Sequence, residues 1–157
     1  MRAPAASLTK NNMIKKIALL AFVAALLSGC AIHQTVKPVT DLRDAEICLI
    51  SNPGTRPGFA ASLKRALEQK GFQVKQLPLD AALNQCPLMA TYEAHWRWDL
   101  AMYMNFASIK VYRETKPSGE AIYDSRRGGA NMNKFIDADK KVVELVNQLF
   151  PGGPPRT

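Results

Sequence analysis

Near its start the chain carries an apolar run that ends at a cysteine. Lys15 and Lys16 precede eleven apolar residues, 17–27, and the run closes with Leu27-Ser28-Gly29-Cys30. Eleven residues are too few to cross a bilayer core, which needs about 20, but they suit the apolar region of a secretory signal peptide. A short buried helix, the alternative, would carry polar side chains on one face, and this run has none. We therefore leave residues 1–29 out of the fold prediction and expect translation to begin at Met13.

The tetrapeptide at residues 27–30 resembles the lipobox of bacterial lipoproteins. The resemblance implies that a peptidase cuts before Cys30 once a diacylglyceryl group is on its thiol, and that the new N-terminus then receives an acyl chain such as palmitate. Several acyl chains, at about 0.8 kcal/mol per buried methylene, make a lasting membrane anchor. Ala31, rather than Asp, follows the cysteine. The resemblance therefore favours the periplasm-facing side of the outer membrane over the inner membrane.

Removal of the leader lowers the net charge of the chain. The whole sequence has 21 basic and 13 acidic residues and a formal charge of +8, and four of the basic residues lie in the leader. The mature chain therefore keeps 17 basic and 13 acidic residues, a net charge of +4. It has no Lys/Arg block of the kind that nucleic-acid-binding arms carry. We expect no nucleic acid among its partners.

Two cysteines remain after Cys30 is assigned to the lipid. In an oxidising periplasm, Cys48 and Cys86 are expected to form a disulfide. A bridge that closes this 38-residue loop would stabilise the fold by about 3–4 kcal/mol on the chain-entropy model. Two buried, unpaired thiols are the alternative. No C-x-x-C motif is present, so we do not expect a redox role.

The mature chain is the size of one ordinary domain. Residues 31–44 are polar and interrupted by proline, which predicts a flexible tether, and residues 45–150 form the predicted domain, with a disordered tail at 151–157. Apolar periodicity predicts strands at 45–51, 72–79, 89–99, 101–114 and 120–124, and helices at 57–70 and 134–150. Asn131 or Asn133 is expected to cap the second helix and Pro151 to stop it. The order β-α-β-β-β-β-α predicts an α+β two-layer sandwich, with a largely antiparallel sheet of four to five strands and two helices on one face.

From residue 45 onward the chain resembles a small family of proteobacterial envelope lipoproteins with no assigned function. The segments that carry the resemblance are ICLISNP, Cys86-Pro87, HWRWDLAMYM, IKVYR, AIYDSRRGG and KFIDADKKVVELVNQLFP. The resemblance implies a periplasm-facing lipoprotein. It supplies no catalytic residues, because none are established for that family.

The most unusual side chains are aromatic and basic. Trp96 and Trp98 share one face of a predicted strand with Tyr92, and such a face can stack on sugar rings or a peptide. Arg97, Arg126 and Arg127 could add affinity for an anion, and Gly128 and Gly129 could let backbone N–H groups approach it. The alternatives are that the aromatic rings, including Tyr103, belong to the core and that the glycines serve a tight turn.

Catalytic and metal-binding motifs are missing from the sequence. His33 and His95 are far apart and have no cysteine or carboxylate at ligand spacing, so we expect neither a metal nor a cofactor. A triad of His95, Asp99 and a serine would depend on geometry alone. We therefore expect a non-catalytic lipoprotein that binds or scaffolds another envelope component. A binding module for an anionic or glycan envelope polymer is the alternative, and a hydrolase is the third.

Overall fold

The computed structural model describes residues 31–155. The predicted signal peptide, the start at Met13 and the lipid site at Cys30 lie outside these residues. Among the described residues, no helix is both long and apolar enough to span a bilayer. The elements are β1 (His33–Lys37), β2 (Glu46–Ile50), α1 (Pro57–Gln69), β3 (Gln73–Leu77), β4 (Leu88–Asp99), β5 (Ala101–Arg113), β6 (Lys116–Asp124) and α2 (Ala138–Leu149), with a 3-10 turn at Met132–Lys134.

The six strands form one mixed sheet in the order β1-β6-β5-β4-β2-β3. Strand β2 runs parallel to both β3 and β4, and the other three pairs are antiparallel. The α+β class and the antiparallel meander of β4, β5 and β6 are confirmed. The predicted sheet of four to five strands is wrong in detail, because an additional strand precedes the predicted first one.

That additional strand lies in the segment predicted to be a flexible tether. Residues His33–Lys37 pair antiparallel with β6, from His33 opposite Asp124 to Lys37 opposite Glu120. Four of the five side chains are exposed, so the strand has no apolar alternation by which the sequence could reveal it. Its stability comes from backbone pairing at the sheet edge, and beyond it the Val39 N–H donates to the Leu149 carbonyl at 2.8 Å. The tether prediction is therefore wrong at β1, and the domain begins at residue 33.

Both helices pack on one face of the sheet, as predicted. Helix α1 has Pro57 in its first turn and ends before Gly71, whose φ of 102° is the left-handed conformation that glycine adopts readily. The buried side of each helix shares one core with strands β2, β4, β5 and β6. Its members include Phe59, Leu63 and Leu67 from α1, Leu145 and Leu149 from α2, and Ile47, Leu49, Tyr92, Met104, Ile109 and Tyr123 from the sheet.

The second helix starts later than predicted and has a different cap. Asp137 accepts a hydrogen bond from the Lys140 N–H and caps α2, whereas Asn131 caps the 3-10 turn by accepting from the Asn133 N–H. After α2 the chain turns back: the Gly153 N–H donates to the Phe150 carbonyl at 3.3 Å, and Pro154 is half-buried. The tail predicted to be disordered is thus a turn at residues 151–155, and residues 156–157 lie outside the described part.

A disulfide joins the far side of the sheet to the loop that precedes β4. Cys48 and Cys86 are bonded, with 6.1 Å between their Cα atoms, in agreement with the predicted pairing. Around them Ile50 and Met89 form a second, smaller buried cluster, on which Leu83 packs. The loop before β4 therefore covers β2 and the start of β4 on the face opposite the helices.

Candidate functional site

The residues predicted to form a binding face lie around the β4–β5 hairpin. Strands β4 and β5 pair as far as Asp99 opposite Ala101, and Leu100 alone connects them. The pairing of β5 with β6 ends at Phe106 opposite Asp124. The end of the hairpin therefore extends beyond β6 as a two-stranded projection.

The predicted aromatic face is divided between core and surface. Tyr92 and Tyr103 are buried. Trp96 is half-buried, with its ring edge-on to Phe59 at 6.1 Å and the Arg56 guanidinium 5.3 Å above it. Trp98, two residues further along β4, is 67% exposed. The first turn of α1 covers Trp96 and does not reach Trp98, so the two tryptophans do not form one stacking platform.

Three more large apolar side chains are exposed at the same end of the molecule. Met102, the cross-strand partner of Trp98, is 50% exposed, Leu100 is 80% exposed, and Met132 in the 3-10 turn is 68% exposed. We name Trp98, Leu100, Met102 and Met132 the apolar tip. The sequence pattern did not reveal it, because methionine and leucine in a strand pattern predict a core. The only available signal was Leu100 at a turn, where Asn, Asp or Gly is usual.

A buried lysine holds the 3-10 turn against the hairpin. Lys134 is 5% exposed, and its Nζ donates to Asp99 Oδ2 and to the Gly129 carbonyl, both at 2.5 Å. Next to it the Phe135 ring packs edge-on against Tyr103, with 5.2 Å between centroids. Met132 is thus carried on a loop that is fixed to the hairpin.

The two adjacent arginines of the predicted anion site differ in their surroundings. Arg126 Nη2 donates to Asp124 Oδ2 at 2.6 Å, and its guanidinium lies 4.4 Å above the Phe106 ring. The hydrogen bond from Arg126 lowers the pKa of the Asp124 carboxyl, and the same bond raises the pKa of Arg126. Arg127 is exposed. Arg126 is therefore already neutralised, and Arg127 is the arginine open to a partner.

The two glycines that follow serve the turn. The Gly128 N–H donates to the Ser125 carbonyl at 2.8 Å, so it does not point at a ligand. A Cβ at Gly128 would lie 2.9 Å from the Ser125 oxygen, and Gly129 has a φ of 49°. The tight-turn alternative explains both positions.

Two acidic groups near the tip are paired with cations, because Lys134 binds Asp99 and Arg126 binds Asp124. A third, Glu93, has its Oε1 atom 2.8 Å from His95 Nε2. Arg97 and Arg127, in contrast, are exposed and have no carboxylate partner among residues 31–155. Arg97 and Arg127 thus add exposed positive charge to the hairpin and the loop that carry the apolar tip.

No triad or metal cluster forms around the histidines within residues 31–155. His95 faces Glu93, and His33 lies on β1 opposite Asp124. In the described part of the chain, the candidate ligand group with atoms close enough for a metal joins Glu46 to Cys48 and Cys86. The disulfide occupies both sulfurs, and a bonded sulfur is not the thiolate that a metal needs.

A shallow groove of about 750 Å³ runs between the two helices. Its rim is polar: the Ser62 hydroxyl donates to Asp139 Oδ1 at 2.6 Å, and Arg65 lies 3.9 Å from the same carboxylate. These contacts link α1 to α2.

The fold is similar to that of PelC from Paraburkholderia phytofirmans. A point variant described as a dodecamer superposes with a TM-score of 0.55 at 10% identity, over 76% of this chain and 98% of that one. A second PelC dodecamer gives 0.52 at 11% identity over the same shares. A minor lipoprotein from Acinetobacter baumannii gives 0.40 at 11% identity, over 74% and 99%. No protein-family model and no curated protein sequence matches the chain. At these identities the likeness to PelC shows a shared fold.

Proposed function

We propose that this chain is an outer-membrane lipoprotein that holds a non-catalytic α+β domain close to the membrane, where the domain binds or scaffolds another envelope component. The observation that carries the proposal is the position of β1, which begins three residues after Cys30. Three residues span at most about 11 Å. A 14-residue tether would have allowed about 50 Å, so the domain stands much nearer to its anchor than a tethered domain would.

The strand next to the anchor is held firmly. The Gln34 side-chain amide donates to Glu144 Oε1 at 2.7 Å, and its carbonyl oxygen accepts from Lys141 Nζ at 3.1 Å. These contacts join β1 to α2 in addition to the backbone pairing with β6. The strand that follows the predicted anchor is therefore fixed to both the sheet and α2.

Two observations support a binding or scaffolding role over catalysis. Near the hairpin, His95, Arg126 and Lys134 each contact a different carboxylate. The structures that share the fold are described as dodecamers of PelC, which makes association between copies one form that scaffolding can take here.

The anchor is tested by Cys30→Ser in cells, with Ala31→Ser as the matched control that keeps the thiol. We expect the Cys30→Ser chain to lose the acyl mass and to leave the membrane fraction, and the Ala31→Ser chain to keep both. Membrane association of Cys30→Ser without an acyl mass would contradict the proposal. Ala31→Asp should move the protein from outer to inner membrane on a density gradient, and an unchanged position would contradict the outer-membrane assignment.

Scaffolding is tested by crosslinking in cells followed by purification. We expect the wild-type chain to yield a discrete crosslinked species, either copies of itself or one envelope protein, and Cys30→Ser to lose it. A chain that stays monomeric and uncrosslinked at native expression levels would contradict a scaffolding role.

Binding of an anionic or glycan polymer is the second candidate, and it is favoured by exposed Trp98 beside unpaired Arg97 and Arg127. Addition of such a polymer should shift Trp98 fluorescence, and the shift should disappear in Arg97→Gln with Arg127→Gln. A polymer that changes neither the emission nor the mobility of the protein would exclude this candidate.

A further inference from the structure

We propose that the apolar tip inserts into the lipid leaflet that holds the acyl chains of Cys30, so that the domain contacts the membrane at two points. The inference rests on the proposed function, since it takes acylation of Cys30 as its starting point. Its occupant is the bilayer surface itself, with anionic headgroups around the inserted side chains.

The residue at the end of the hairpin is unfavourable for a surface turn in water. Leu100 has a φ of 61° and is 80% exposed. The left-handed conformation is costly for a residue with a Cβ, and Asn or Gly would satisfy the same turn without exposing an apolar side chain. Trp98 and Met102 flank it in the hairpin, and exposed Met132 lies in the loop whose Lys134 binds Asp99. In the interior of a lipid leaflet, these apolar side chains would no longer be exposed to water.

The strand directions place the start of β1 at the same end of the domain as the tip. Strand β1 is antiparallel to β6, and β6 is antiparallel to β5, so β1 and β5 run in the same direction. Both begin at the hairpin end. His33 pairs with Asp124, which in turn pairs with Phe106. Met102 precedes Phe106 by four residues, so it lies about 13 Å closer to the end of the hairpin. Cys30 precedes His33 by three residues in the sequence, so it can lie at most about 11 Å from the start of β1.

A chain of side-chain contacts connects the start of the domain to the tip. A Cβ at Gly128 would lie 3.7 Å from Ile32 Cγ1 and 3.5 Å from Lys134 Cβ. Lys134 in turn binds Asp99, next to Trp98. Ile32, two residues after Cys30 in the sequence, therefore lies beside Gly128 in the loop that carries Met132. The start of the described domain and the apolar tip are thus linked through this loop.

The charges beside the tip are complementary to an anionic membrane. Arg97 and Arg127 are exposed and lack carboxylate partners in the described chain, while Asp99 and Asp124 are neutralised by Lys134 and Arg126. Basic side chains near an anionic bilayer are attracted by its negative surface potential. Tryptophan favours the boundary between headgroups and acyl chains. An apolar patch with a tryptophan and a basic border is therefore suited to lie in that boundary.

The size of the patch argues against a protein partner as its occupant. A stable protein interface uses about 20–30 residues on each side. The tip offers four apolar side chains, with two exposed arginines in the same hairpin and loop. Insertion into a lipid leaflet requires no such area, because the two-point attachment is completed by the acyl chains.

The experiment uses the two tryptophans as internal probe and control. The full acylated chain is extracted from membranes and reconstituted into phosphatidylethanolamine–phosphatidylglycerol vesicles, with or without brominated acyl chains. In Trp96→Phe, emission comes from Trp98, and brominated lipid should abolish most of it. In Trp98→Phe, emission comes from Trp96 and should remain nearly unchanged. Leu100→Asn, made in the Trp96→Phe chain, should keep the turn and reduce the quenching.

The outcomes separate the inference from the proposed function. A chain without an acyl mass at Cys30 overturns the anchor, and the insertion with it. An acylated, vesicle-bound chain in which aqueous iodide, but not brominated lipid, quenches Trp98 overturns the insertion alone. Shielding of Trp98 from both quenchers also overturns the insertion alone, because a protein contact then covers the tip.

Discussion

Lys134, which is almost fully buried, donates to Asp99 at the end of the β4–β5 hairpin, 35 residues earlier in the chain. The ammonium also binds the Gly129 carbonyl, and its two ring neighbours, Tyr103 and Phe135, lie with centroids 5.6 Å and 5.2 Å away. One side chain thus fixes the loop at residues 126–135 against the hairpin.

Replacement of that lysine should loosen this end of the domain. We expect Lys134→Met to keep the packing of the aliphatic part of the side chain but to leave Asp99 and the Gly129 carbonyl without their donor. The free energy of unfolding should fall by about 1–3 kcal/mol. Lys140→Met, at an exposed lysine of α2 without an ion pair in the described chain, is the control and should be near neutral. Urea unfolding followed by circular dichroism measures both, and equal midpoints for the two variants would refute the role given to Lys134.

The disulfide should contribute substantially to stability. It joins β2 to the loop before β4 and closes a 38-residue loop, so its reduction should lower the free energy of unfolding by about 3–4 kcal/mol. Unfolding of the same preparation with and without dithiothreitol tests this, and thiol titration of the non-reduced, denatured protein should find no free cysteine. Two free thiols would show that Cys48 and Cys86 are not paired.

A glycine in β6 permits close packing of the segment that leads away from β1. A Cβ at Gly119 would lie 2.5 Å from Val39 Cγ2 and 3.1 Å from both Leu149 Cδ1 and the Lys37 carbonyl. We expect Gly119→Ala to destabilise the fold by about 1–3 kcal/mol through overpacking. Gly58→Ala, in α1 with nothing within 4 Å of the new methyl group, should be neutral or stabilising by up to about 1 kcal/mol.

Thermal unfolding of a double variant tests whether contact with Val39 causes the destabilisation of Gly119→Ala. Val39→Ala removes the nearest methyl group, so Gly119→Ala combined with Val39→Ala should recover part of the loss. If the double variant is destabilised by the sum of the two single changes, the contact with Val39 is not the cause.

Attachment of β1 to α2 should weaken in acid. Hydrogen bonds from Lys141 and Gln34 lower the pKa of the Glu144 carboxyl. A carboxyl whose pKa is lower in the folded state contributes stability that is present above its unfolded pKa and is lost as the pH falls through the folded value. Stability should therefore decline below about pH 4.5.

Glu144→Gln identifies the group responsible for that decline. The variant should be less stable than the wild type at pH 7 and should lose part of the difference at pH 3, measured by urea unfolding at both pH values. Glu114→Gln, at an exposed residue of the β5–β6 turn, is the control and should follow the wild type. A constant difference between Glu144→Gln and the wild type would contradict the assignment.

The spacing of apolar residues in the sequence is sufficient to predict the elements that bury a regular apolar stripe. Helix α1, with Phe59, Leu63 and Leu67 at helical spacing, has a predicted range of 57–70 and lies at Pro57–Gln69. The helix predicted at 134–150 is shorter, because Lys134 is drawn away to Asp99 and the chain forms a 3-10 turn before Asp137 caps α2. Non-local contacts changed the boundary of this helix and not its existence.

The sequence by itself determined the two helices, the β4–β6 meander and the pairing of the two domain cysteines, since each depends on residue spacing or on the number of cysteines. The lipobox at Cys30 also depends on local sequence alone. It stays a prediction because Cys30 lies outside the described residues. Only the tertiary structure decided that residues 33–37 are a strand, since an exposed edge strand is held by its neighbour's backbone and needs no apolar pattern. It also decided that Trp96 is covered and Trp98 is not, because the limit of helix α1 over the sheet depends on how distant elements pack.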